Sequence, residues 1–143
     1  MCGLGDPMPH HAKLLDNLGV IVLRFWGDIT YEELQHVFDE VPAMPGFRKG
    51  LKLVADFREC RTALTGVDVQ RLAHYAKRVE AAWGETKWAI LATNDVIYGL
   101  TRIYMALTSE YDIQTHVFRS VEQAEDWLGL GIGMSELVKP VEN

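Results

Sequence analysis

Apolar and polar positions along the chain alternate between two periods. Val20-Ile21-Val22-Leu23-Arg24-Phe25-Trp26 is a run of β-branched and aromatic residues, and it reads as a strand. Ala12 to Leu15 is a shorter run before it, and Asp16-Asn17 to Gly19 is the turn between them, so the two are expected to form a hairpin. Leu51-Lys52-Leu53-Val54-Ala55-Asp56 is a second buried strand that ends on an acid. Lys87 to Thr93 and Ile113 to Phe118 are the remaining strand patterns.

Between these runs the period changes to that of a helix. Leu34, Val37, Phe38 and Val41 share one face, after a capping box at Thr30-Tyr31-Glu32-Glu33 and before Pro42. Val69, Leu72, Ala76, Val79 and Trp83 form the cleanest stripe, opened by the capping arrangement Thr65-Gly66-Val67-Asp68 and closed by Gly84. Ile97, Leu100, Tyr104 and Leu107 follow an Asn94-Asp95 cap. Val121, Ala124, Trp127 and Leu128 follow a box at Ser120 and stop at Gly129. The order is ββαβαβαβα. It predicts an α/β domain with a single mixed, mostly parallel five-stranded sheet and four helices, joined by right-handed crossovers. Residues 1–11 read as a mobile N-terminal tail, 12–129 as the domain and 130–143 as a C-terminal tail.

The chain has 143 residues, enough for one domain that buries about 70% of its unfolded surface without staples. Its net charge is −6 and its Lys and Arg are scattered, which argues against nucleic acid as a partner. No apolar stretch approaches the roughly 20 residues of a membrane span, and no secretory signal opens the chain, so the cytoplasm is the expected location. The cysteines, Cys2 and Cys60, are too few for a disulfide framework. Cys2 with His10 and His11 matches no zinc spacing, and neither a metal nor a cofactor is expected.

Several motifs together resemble those of the SpoIIAA-like superfamily, which includes the STAS domains, and more closely the small stand-alone bacterial STAS-like proteins. The residues that carry the resemblance are Val20–Trp26 running into Gly27-Asp28-Ile29-Thr30-Tyr31-Glu32-Glu33, then Pro45-Gly46-Phe47-Arg48-Lys49-Gly50, and the strand to Asp56 with Phe57-Arg58. Asn94-Asp95-Val96-Ile97-Tyr98-Gly99-Leu100-Thr101-Arg102 and Val117-Phe118-Arg119-Ser120 complete it. The resemblance implies a βα superhelical fold and a role in protein interaction or small-ligand sensing. In the anti-sigma antagonists of that superfamily a Ser two residues after the strand-ending Asp is a phosphorylation switch. Asp56 matches the acid, but Arg58 stands at the switch position.

The candidate surface is the loop expected from Asp56 to Thr65, with Arg58, Cys60 and Thr62, together with Asn94, Asp95, Tyr98 and Arg102 at the start of the next helix. Ligands in open α/β sheets gather at strand carboxyl ends. Asp56 with Arg58 either binds a polar ligand at the strand end, or Asp56 accepts loop N–H groups or pairs with Arg58 or Arg61. Cys60 beside Arg58 and Arg61 is either a thiol of lowered pKa or an inert loop residue. Tyr98 and Arg102, four apart, either frame a pocket or stack. Gly99 inside a helix implies a close neighbour.

If the helices cover mainly one sheet face, Trp26 and Trp88 stay open on the other and mark a homodimer or partner contact. The leading reading is a non-enzymatic regulatory or protein-interaction module. The alternative is a binder of a small apolar or lipid-like ligand, by analogy with lipid-exchange folds, in a cavity of several hundred Å3 lined by Trp83, Tyr98, Tyr104 and Met105. An enzyme using Asp56 and Cys60 ranks third. There is no Gly-rich phosphate loop, nucleophile elbow or paired-carboxylate motif in the chain.

Overall fold

The computed structural model describes residues 10–130. Cys2, most of the expected N-terminal tail and all but the first residue of the expected C-terminal tail lie outside the described residues. Strand β1 (His10–Leu15) begins two residues earlier than its apolar pattern. It pairs antiparallel with β2 (Val20–Ile29), through a short turn in which Gly19 takes the left-handed conformation at φ 67°. Helix α1 (Tyr31–Glu40), strand β3 (Lys52–Thr62), helix α2 (Gly66–Trp83) and strand β4 (Thr86–Leu91) follow. Helix α3 (Asp95–Leu107), strand β5 (Ile113–Phe118) and helix α4 (Val121–Leu128) complete the described elements. The strands lie in sequential order, with β2 to β5 parallel. This is the mixed five-stranded sheet with four helices that the alternating pattern predicts.

The capping signals place the helix starts. Thr30 and Thr65 each close a reciprocal box with Glu33 and Asp68. Asn94 accepts from the N–H groups of Val96 and Ile97 at 2.8 and 3.1 Å, and Ser120 accepts from that of Gln123.

A sequential parallel sheet advances in one direction, so right-handed crossovers put every crossover helix on the same side. Val37 of α1, Trp83 of α2 and Ile97 of α3 accordingly join Ile21, Leu23, Phe25, Leu53, Trp88 and Ile90 in the main core. Among the described residues no strand follows α4, and it folds back over the other face. There Val121, Ala124 and Leu128 meet Val20, Val22, Val54, Ala89 and Leu91. Lys52 and Lys87, at the starts of neighbouring strands, hold the end of α4 by donating to the carbonyls of Leu128 at 2.6 Å and Trp127 at 3.1 Å.

Two expectations are corrected here. Trp88 points into the main helical layer and is buried, so it does not lie on an open face. The second face is not an apolar patch either. Helix α4 covers its apolar half, and what remains is Trp26, 39% exposed, beside Arg24, whose guanidinium lies 5.8 Å from the indole and pairs with Glu59 at 2.9 Å.

Candidate functional site

The segment after Asp56 is not a loop. β3 continues to Thr62, and its register against β2 shifts between Arg24 and Trp26: Arg24 pairs with Asp56, but Trp26 pairs with Glu59. One extra residue in β3 is a bulge, and it reverses which face each later side chain takes. Leu53 and Ala55 face the main core before the bulge, and Cys60 faces it afterwards. This reversal breaks the alternation that marks a strand, so the pattern read as loop.

The bulge is held by Asp56. Its carboxylate accepts the Arg58 backbone N–H at 3.0 Å and both the Nε–H and an Nη–H of Arg58 at 2.9 Å. Asp56 is buried, and this bidentate fork raises the Arg58 pKa, chiefly through the hydrogen bond to Asp56. Asp56 lies on the α4 side of the sheet, next to Arg24, whereas Cys60 lies on the other side. The two residues of the enzymatic reading therefore do not share a site.

Cys60 is also the reverse of an activated thiol. Burial, reinforced by the negative charges of Asp56, Glu33 and Glu59, pushes its pKa from 9.0 up to about 12. The folded state thus holds this proton more tightly than the unfolded chain does. The stability this contributes is fully present below pH 9 and is lost as pH rises from there toward 12. In a Cys2→Ser background, Cys60 is expected to resist a disulfide reagent at pH 8 until urea unfolds the protein. Prompt reaction in the folded state would show an accessible thiolate.

The other candidates serve local structure. The Thr62 hydroxyl donates to the carbonyl of Ile29 and accepts the N–H of Leu64, both at 3.0 Å, and so ties off two strand ends. Thr65 caps α2 and Asn94 caps α3. Asp95 is exposed and pairs with Arg119 at 2.9 Å. The cation over the Tyr98 ring is Arg119, at 4.1 Å, and not the exposed Arg102. A Cβ at Gly99 would meet nothing within 4 Å, so no close neighbour among the described residues explains this glycine.

The structure instead opens a cavity of about 120 Å3 between the sheet and helices α1 to α3. Phe25, Leu53 and Trp88 form its floor, and Val37, Leu72, Trp83, Ile97 and Tyr104 lie among the residues of its walls. No charged side chain lines it. Of the nine candidate residues, Thr62 alone reaches it. Trp83 and Tyr104 line it as expected, but Tyr98 and Met105 do not: they pack against the core from its margin. Burial raises the Tyr104 pKa, so its phenol stays neutral. The hydroxyls of Thr62 and Thr101 are satisfied by backbone carbonyls. Trp83 Nε1, Trp88 Nε1 and Thr115 Oγ1 are buried without a hydrogen-bond partner among the described residues.

The volume is well below the several hundred Å3 of a lipid-type pocket. It is closer to the roughly 150 Å3 apolar cavity that stays dry and admits benzene. The sequence does not point to Trp88 and Thr115 as cavity residues: Trp88 reads there as part of an open sheet face, and Thr115 is not singled out. Thr115 carries a signal there, as the polar position between Ile113 and Val117 on the inward face of β5.

Among the described residues no cluster of three or more His, Cys, Asp or Glu could hold a metal ion, and no helix is long and apolar enough to cross a membrane. No family model matches this chain, and no curated protein matches it. Solved structures do match. One is an uncharacterised protein of the DUF3478 family with a SpoIIAA-like fold, from Shewanella loihica PV-4. It is 15% identical with a TM-score of 0.50, and the match covers 87% of this chain and 97% of that one. A likeness at this identity speaks to architecture, and the chain has a SpoIIAA-like fold.

Proposed function

We propose that this chain is a non-catalytic binding module, acting in the cytoplasm, that holds a small apolar molecule between its sheet and helices α1 to α3. The observation that carries this reading is the cavity itself, about 120 Å3, apolar and lined by no charged group. Binding sites of this kind are concave, largely apolar and pre-formed. Cys60 with its raised pKa and Asp56 engaged by Arg58 speak for binding over catalysis.

Benzene is the simplest probe. A ligand that binds only the folded state raises its stability by mass action. For a domain of this size each kcal/mol gained moves Tm by about 2–4 °C. Benzene at several times its Kd is therefore expected to raise Tm by about 2–4 °C in calorimetry. Ala55→Leu, which grows into the cavity, is expected to abolish the rise. No benzene-dependent change in the wild type would sink the reading.

A second reading, the regulatory protein-interaction module, is favoured by α3. Val96, Ile103 and Leu107 are 57%, 44% and 43% exposed and share one helical face with the open Gly99. A second copy of this chain is the simplest occupant. Sedimentation equilibrium at micromolar concentration is expected to show a dimer that Ile103→Lys converts to monomer. A wild type of monomer mass throughout would exclude the homodimer.

A further inference from the structure

We infer that two copies of this chain join through α3 as an antiparallel, two-fold symmetric pair whose helices cross at Gly99. The inference rests on the homodimer reading above and gives that contact its geometry. Val96, Gly99, Ile103 and Ala106 are all exposed, and they follow one another at steps of three, four and three. These steps place them on one stripe of the helix. The stripe alternates β-branched residues with the two smallest ones.

Gly99 is the informative member, because glycine in a helix interior lowers helix stability relative to Ala. Space inside the protomer does not require it, since a Cβ there would meet nothing within 4 Å among the described residues. The backbone does not require it either, because φ at Gly99 is not positive. A glycine on an outward face does let a second backbone approach closely. The side chains at a helix contact set the distance between the axes, so a partner helix comes nearest where it crosses Gly99.

Self-complementarity identifies that partner as a second copy. A two-fold contact must match a patch with itself. In an antiparallel pair centred on Gly99, Val96 meets the partner's Ile103, and Ile103 meets the partner's Val96. The branched side chains then flank the close approach on both sides. Asp95 and Arg102 lie seven residues apart, two turns along one edge of the stripe. The Asp95 side chain is 89% exposed and binds Arg119 through one oxygen, and Arg102 is exposed. The antiparallel pair sets each Asp95 against the partner's Arg102, which gives two ion pairs across the axis. The opposite edge carries the half-buried Leu100, which meets the partner's Leu100. A parallel pair would instead set the charged edge against the leucine edge and leave both charges unmatched.

The test is cross-linking in a Cys2→Ser background, where the remaining Cys60 is buried. Positions 96 and 103 of one helix are about 10.5 Å apart at 1.5 Å per residue, beyond the roughly 7 Å that a disulfide spans. A chain carrying both Val96→Cys and Ile103→Cys is expected to form a covalent dimer under mild oxidation with copper phenanthroline. Either substitution alone is expected to form none, because each position lies about 10 Å from its own copy in the antiparallel pair. A parallel pair would cross-link through each single substitution. Charge reversal reads the same geometry and leaves the apolar stripe intact. Arg102→Glu places two pairs of like charges across the axis, and so does Asp95→Lys. Each is expected to raise the dimer Kd about tenfold at low salt in sedimentation equilibrium. An equimolar mixture of these two variants is expected to regain wild-type association within about twofold. If the wild type dimerises, but the double-cysteine chain cross-links no better than the single ones and the mixture regains nothing, the antiparallel geometry is overturned while the homodimer stands. A wild type of monomer mass throughout overturns both.

Discussion

Trp83→Ala is expected to destabilise the protein by about 3–5 kcal/mol, the range for removing a large buried aromatic. Trp83 ends the apolar stripe of α2 and is almost wholly buried. It meets Phe47 edge-on with centroids 4.9 Å apart, and Trp88 at 5.0 Å. Its carbonyl accepts the Gly50 N–H at 2.9 Å, which fixes the segment leading into β3. The ring also walls the cavity, so its loss enlarges a space that is already open. Against a typical total stability of about 5–15 kcal/mol, the loss leaves a marginal fold. Urea unfolding followed by circular dichroism measures it. Trp26→Ala, at a half-exposed ring, is the control and should cost about 1 kcal/mol or less. A Trp83→Ala loss no larger than that of Trp26→Ala would mean that the packing described here is wrong.

Asp56→Ala is expected to cost about 2–3 kcal/mol, somewhat below the value of about 3–5 kcal/mol for breaking a fully buried ion pair. The carboxylate of Asp56 is 4% exposed, but the Arg58 side chain is 30% exposed and can recover water when its partner is removed. Two separate losses add. One is the bidentate contact, and the other is the acceptor for the Arg58 backbone N–H that sets the bulge. Asp56→Asn keeps an oxygen for that N–H and is expected to fall between wild type and Asp56→Ala. Arg58→Ala strands a buried carboxylate and should cost at least as much as Asp56→Ala. Chemical denaturation of the three variants orders them. Wild-type stability in all three would show that the fork contributes nothing to the bulge.

Much of the fold was legible residue by residue. Thr30 with Glu33 and Thr65 with Asp68 announce their helices because a cap is a local bargain between a side chain and N–H groups within one turn. The stripe Val69, Leu72, Ala76, Trp83 and the β-branched run Val20–Leu23 declare their elements because burial imposes its period on the chain. The alternation of strand and helix after one hairpin then leaves few topologies open.

The candidate site was far less legible. Asp56 was found, as was Arg58 as one of its possible partners, since they lie two residues apart. The bulge they hold was not, because an inserted residue reverses the alternation and β3 reads as ending at Asp56. The reversal also turned Cys60 from an expected loop thiol into a buried one whose proton is hard to remove.

What the sequence by itself determined is the order of the elements, the helix caps and, up to the bulge in β3, the two faces of each strand. What only the tertiary structure decided is which face meets which helix. Period-2 alternation labels the faces of β4 but does not say that the Trp88 face receives α1 to α3 while the Ala89 face receives α4. That choice follows from the sense of the crossovers and from Lys52 and Lys87 gripping the end of α4. The cavity belongs to the same class of outcome. Its walls come from strands and three helices far apart in the chain, and its volume is the small residue of how their side chains fail to fill the space between them, a quantity no local pattern encodes.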